Sequence, residues 1–143
     1  MKIAREISIA LYGVVLKLLN MESGEERTDI PFTTRYKLQR NSALFEKDYV
    51  SSIDFRDNLL KEYGTLDEEK QEYLPPTDEE TLKEVRDKLT AYLKEPVSYD
   101  PLLLKPEELE IFKGVKLTTT ETDLLIVCLT DDPEIRKELG LDS

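Results

Sequence analysis

PFTTRYKLQRNSALFEKDYVSSIDFRDNLLKEYG, residues 31–64, decides the fold of this chain. A proline opens the stretch, a glycine closes it, and neither residue type interrupts it. Pro31 with Thr33 or Thr34 supplies a helix start, a threonine serving as N-cap. Gly64 supplies a left-handed stop after Tyr63. At 1.5 Å of rise per residue, the helix between them is about 45 Å long. Its apolar stripe reads Leu38, Phe45, Tyr49, Ile53, Leu60 and Tyr63. Arg56 falls in the middle of that stripe, between positions flanked by Ser42 and Ser52. A buried arginine needs a carboxylate or carbonyl partner, and Glu6 is one candidate. The alternative is a stripe that opens to solvent near Arg56.

Upstream, residues 2–21 predict a first helix. Ile3, Ile7, Ala10, Leu11, Val14 and Leu18 fall on one side at helical spacing. Ile9, Tyr12, Leu16 and Leu19 recur on the other side. A surface helix needs one apolar stripe. Two stripes mean either a central helix enclosed by its own domain or a helix whose second side meets another protein. Ile9, Tyr12, Leu16 and Leu19 are therefore the expected protein-contact residues. Residues 22–30 read as a polar loop around Gly24.

Downstream, residues 65–76 (TLDEEKQEYLPP) read as an exposed acidic connector. Thr77 and Glu80 form a capping-box pair for a third helix, whose stripe is Leu82, Val85, Leu89 and Leu93. Pro96 limits that helix near Lys94. The second and third helices then make a long antiparallel hairpin beside the first. Beyond Pro96 the pattern shortens. Residues 97–99, 102–104 and 115–117 read as short strands, a small ribbon at most. Residues 106–112 predict one or two helical turns ended by Gly114. Thr118 and Glu121 form a second capping box, opening a nearly continuous apolar helix through Leu129 that is expected to be deeply packed. Asp132 and Pro133 start a last helix ending at Gly140. The expected class is mainly α with α+β character in one domain, residues 1–143: a helical bundle over residues 1–95 and a smaller part of short strands and short helices over residues 96–143.

The 143 residues are enough to enclose a core. Apolar residues make up 39% and charged residues 36%, which leaves thin cores and much solvated helix surface. Twenty Lys and Arg against 31 Asp and Glu give a net charge of −11. That field repels nucleic acid and anionic membranes, and neither is an expected partner. The apolar run within residues 7–19 is too short to span a bilayer, and no small-residue cleavage site follows it, so a signal peptide is not expected.

The chain contains no histidine and one cysteine, Cys128. This composition removes the usual general base, histidine-paired nucleophiles and the ordinary zinc ligand sets. No Gly-rich phosphate loop is present, and the acidic runs lie mostly where helices start, as charges complementing the helix dipole. The expectation is no catalytic residue, no metal and no cofactor.

The stretch from Ile7 to Gly64 resembles small uncharacterised helical proteins of tailed bacteriophages and prophages. The resemblance lies in an apolar helix, a linker ending near proline, Tyr36-Lys-Leu-Gln-Arg-Asn41, and a carboxylate-rich helix closing as Arg56-Asp-Asn-Leu-Leu-Lys-Glu-Tyr-Gly64. Glu95-Pro-Val-Ser-Tyr99 and Leu117-Thr-Thr-Thr-Glu-Thr-Asp-Leu124 extend it, and the acidic tail, residues 132–143, adds nothing to it. The resemblance implies phage origin and no catalytic residues. The expected role, by analogy, is a non-enzymatic structural or assembly protein: a virion connector, ring, tail or capsid accessory subunit. It would contact other virion proteins or copies of itself, in the virion or the host cytoplasm. The alternative is an acidic phage-encoded regulatory or inhibitory protein that binds a host protein.

Overall fold

The computed structural model describes residues 1–23, 29–132 and 134. It is mainly α, with two small antiparallel sheets. The order is β1 (Lys2–Ala4), α1 (Arg5–Leu19), a 3-10 turn (Asn20–Ser23), α2 (Phe32–Tyr63), β2 (Thr65–Asp67), β3 (Glu72–Leu74), α3 (Glu79–Lys94) and β4 (Pro96–Ser98). Then follow α4 (Pro106–Leu109), a 3-10 turn (Glu110–Phe112) and α5 (Thr119–Leu129). The last helix expected from Asp132, and most of the loop around Gly24, lie outside the described residues. Among the described residues no helix is long and apolar enough to cross a membrane.

The long helix ends where its sequence punctuation places the ends, but its buried face is not the apolar stripe. The buried positions are Thr34, Leu38, Asn41, Phe45, Asp48, Ser52 and Leu59. From Thr34 to Ser52 they recur at alternating steps of four and three, with Leu59 two turns further on, the spacing of one helix face. Polar side chains hold four of those seven positions. Tyr49 and Ile53 are instead 41% and 42% exposed. Arg56 and Glu6 are both exposed, so the stripe opens to solvent at Arg56 and the two form no buried pair. A polar row is tolerated in the interior only where each group has a hydrogen-bond partner. Among the described residues no buried side-chain nitrogen or oxygen lacks one.

Gly64 does not stop α2 by a left-handed turn. Its φ of −89° and ψ of −177° are extended. Glycine is required by close approach: a Cβ there would lie 2.3 Å from the Leu74 carbonyl oxygen and 2.6 Å from that of Leu60. The connector after it is exposed, as expected, but folds as a β-hairpin with Thr65 opposite Leu74, Leu66 opposite Tyr73 and Asp67 opposite Glu72. The third helix is capped one residue later than the sequence pattern suggested. Asp78 accepts from the Thr81 backbone N–H at 2.8 Å. α2 and α3 run antiparallel: Ser51 and Phe55 meet Tyr92, while Tyr63 meets Glu84 and Lys88.

The first helix starts at Arg5 because residues 2–4 are taken by a strand. Lys2, Ile3 and Ala4 pair with Ser98, Val97 and Pro96. The expected C-terminal ribbon is absent among the described residues. Residues 115–117 are not a strand, and Leu104 makes a single bridge, to Thr130. Three alternating residues do not specify a partner, and the chain's own beginning supplied one. The core is continuous across the N-terminal helices and the C-terminal part, joining Leu11, Val14, Val15 and Leu18 with Leu38, Phe45, Leu104, Phe112, Leu125 and Leu129. α5 buries one side only: Leu125, Cys128 and Leu129 are inside, while Val127 is 37% exposed. α3 contributes no buried residue, so its apolar stripe is only half covered.

Candidate functional site

The densest polar centre forms where α1, α2, α3 and the segment after β4 meet. Asp48 projects from the buried face of α2 and is 6% exposed. Its Oδ1 accepts from Arg5 Nε at 3.3 Å, and its Oδ2 accepts from the Ser8 hydroxyl at 2.8 Å and from the Tyr99 hydroxyl. Helical spacing places Arg5 and Ser8 on one side of α1, one turn apart. Arg5 donates further to Glu95 Oε2 and to the Tyr92 carbonyl, both at 2.8 Å. Its guanidinium lies 3.9 Å from the centre of the Tyr92 ring. That ring stacks in turn on Phe55 at 4.1 Å and 5°.

The electrostatics follow from this geometry. Burial works against the charged Arg5, but its bonds to Glu95 and Asp48 overcome that effect and leave its pKa above the ordinary value. Burial, then the bond to Asp48, pushes the Tyr99 phenol up to about 12. Tyr99 therefore stays protonated and donates. Both oxygens of Asp48 are engaged, so the carboxylate acts as a clamp joining α1, α2 and the segment after β4.

Two further polar contacts tie the C-terminal part to α2. Asn41, fully buried, accepts from the Leu102 backbone N–H and donates to the Leu102 carbonyl, both at 2.8 Å. Glu108 accepts from Lys37 Nζ at 2.5 Å, from the Lys105 backbone N–H at 3.0 Å and from the Thr34 hydroxyl. Burial opposes its charge, but those donors hold its pKa below the ordinary glutamate value. Thr34, expected as a possible N-cap, instead reaches across to this carboxylate, and α2 has no side-chain cap. Burial raises the Cys128 thiol above its ordinary pKa, which leaves it a poor nucleophile.

The four residues expected to contact a partner all lie on the outer side of α1. Ile9, Tyr12, Leu16 and Leu19 are half-buried. Tyr12 and Leu19 also pack against the core, whereas Ile9 and Leu16 lie outside it. Tyr12 meets Tyr49 of α2 with ring centroids 5.0 Å apart. Tyr49 and Ile53 stand one turn apart on α2. The result is a partly exposed apolar strip, Ile9, Leu16, Tyr12, Tyr49 and Ile53, running from α1 onto α2. Arg56 and Glu6, the expected buried polar pair, take no part in the polar centre. The residues that build it, Arg5 and Asp48, were missed because Asp48 falls outside any apolar stripe. The four-three spacing from Thr34 to Ser52 emerges only from the burial of the folded chain, so no pattern in the sequence singled these residues out. Comparison of this chain with known protein families, characterised proteins and solved structures gives no match.

Proposed function

We propose that this chain is a non-enzymatic structural or assembly subunit of phage type, acting through contacts with other virion proteins or with copies of itself. The observation that carries this reading is the apolar strip across α1 and α2. Tyr49 and Ile53 remain more than 40% exposed beside the half-buried Ile9 and Leu16. A polar helix face would serve solubility at no cost, whereas a joined apolar strip gains by being covered. The half-covered α3 adds to the same tendency. The best-defined polar cluster engages its carboxylate fully within the fold, which supports a binding role over a catalytic one.

The charge layout bears on the alternative, an acidic inhibitor of a host protein. Asp48 and Glu108 are held internally, Asp78 and Glu121 cap helices, and Glu95 pairs with Arg5. Those five carboxylates, spent on caps and clamps, do not serve that alternative, which would draw on the exposed acids of the remaining surface. The resemblance of residues 7–64 to phage proteins favours the virion or the host cytoplasm as the place of action. The test is native mass measurement together with probing of purified phage particles. The subunit is expected to self-associate or to co-purify with particles. The paired Ile9→Asp and Leu16→Asp variant should lose that association while keeping its helical circular dichroism. A strictly monomeric protein absent from particles overturns the proposal.

A further inference from the structure

The β2–β3 hairpin concentrates exposed apolar side chains on an element with almost no interior. Leu66 is 43% exposed, Tyr73 38% and Leu74 45%. These are half of the six strand residues. All three residues of β3 are exposed, and no third strand joins the sheet among the described residues. An isolated two-stranded hairpin is marginal in water, and an open edge beside apolar side chains is a template for a further strand. The hairpin is nevertheless held in place. Its far end closes on Gly64, whose Cα sits against the Leu74 carbonyl. Asp67 accepts from the backbone N–H groups of Glu69 and Lys70 to order the turn. Beside β3 a shallow cleft of about 310 Å³ is lined by Asp57, Leu60, Lys61, Glu72 and Tyr73.

We propose that the open edge of β3 receives an extended segment of a partner protein, added as a third strand, in which basic and apolar side chains alternate. The sequence 65–74 carries Asp67, Glu68, Glu69 and Glu72 against the single cation Lys70. A second copy of this hairpin would bring the same charges and be repelled. Glu72 shares one face of the hairpin with its cross-strand partner Asp67, and Tyr73 shares the opposite face with Leu66. A segment with Lys or Arg on one side meets the first pair, and its apolar side covers the second. Backbone bonds along the edge supply affinity, and the alternation supplies selectivity. The inference rests on the binding role proposed above and names one partner chemistry for it.

The test uses the full chain and a fluorescent decapeptide of alternating lysine and valine, read by anisotropy at physiological salt. A second peptide has the same charge and side chains, but alternate amides are N-methylated so that it cannot pair as a strand. The first peptide is expected to bind and to slow amide exchange at residues 72–74. The N-methylated peptide, and the Leu66→Ser, Tyr73→Ser double variant, should each bind roughly tenfold or more weakly. The substituted side chains are exposed, so the urea midpoint serves as the folding control. No binding, equal binding of the N-methylated peptide, or full binding by the double variant overturns the proposal. Dimerisation of the free protein that Tyr73→Ser abolishes also overturns it, by making a second copy the occupant. If peptide binding fails while association through Ile9 and Leu16 persists, the hairpin proposal falls alone.

Discussion

Replacing Asp48 by alanine is the sharpest test of how this fold is held together. The substitution removes the acceptor for three donors at once: Arg5 Nε, the fully buried Ser8 hydroxyl and the Tyr99 hydroxyl. A buried donor left without a partner costs about 1–3 kcal/mol. The Ser8 hydroxyl meets that description in full, and the half-buried Tyr99 hydroxyl meets it in part. Arg5 keeps Glu95 and the Tyr92 carbonyl, so its share falls well below that of a stranded charge. The sum is about 3–5 kcal/mol, the range for breaking a buried ion pair. With an unfolding entropy of about 2.1 cal/mol/K per residue over 143 residues, Tm should fall by about 10–17 °C. Urea titration followed by circular dichroism should show the midpoint fall with an unchanged m-value. Asp48→Asn retains one acceptor oxygen and should lose about half as much. A double-mutant cycle with Tyr99→Phe should give a coupling of about 0.5–3 kcal/mol. The phenol also sets a pH signature. Its folded pKa of about 12 lies above the ordinary 10. The stabilisation is therefore complete below pH 10 and lost as pH rises from 10 through about 12. Tyr99→Phe should remove that alkaline limb. An Asp48→Ala cost below about 1 kcal/mol, or a Tyr99→Phe protein with the limb intact, refutes the clamp.

Other substitutions separate local from tertiary causes. Gly13→Ala, in an exposed turn of α1 with nothing within 4 Å of the new methyl, should stabilise the protein by about 0.5–1 kcal/mol. Gly64→Ala should destabilise it by about 1–3 kcal/mol, because the methyl meets two backbone carbonyls; urea midpoints check both. Glu108 has a folded pKa below its ordinary value, so its stabilisation is present above the unfolded pKa and lost as pH falls through the folded one. Glu108→Gln should therefore lower stability at neutral pH and flatten the acid limb below about pH 4.5, measured by denaturation at several pH values. Cys128, buried and raised in pKa, should react with a thiol reagent far more slowly in the native protein than in urea.

Helix extents were legible in the sequence because they depend on chemistry within a few residues. Pro31 and Gly64 bracket α2, Pro106 starts α4, and Thr118 with Glu121 caps α5 through bonds at 3.0 and 3.1 Å. The mainly α class follows from those extents. The exposed acidic connector was legible as well, but its strand pairing was not, since Thr65 and Leu74 find each other only once α2 has ended at Gly64. Which face of α2 turns inward is a different kind of fact. Hydrophobicity pointed to Tyr49 and Ile53, yet Asn41, Asp48 and Ser52 went inside and Arg56 stayed out. A polar residue can be buried only where distant donors and acceptors converge on it. For Asp48 those come from Arg5 and Ser8, about 40 residues before it, and from Tyr99, 51 residues after it. Local pattern carries no information about partners so far along the chain. The extents of α2 and α5 were therefore written in the sequence, while the start of α1 behind β1, the inward face of α2, the pairing of β1 with β4 and the polar clamp were decided by tertiary convergence.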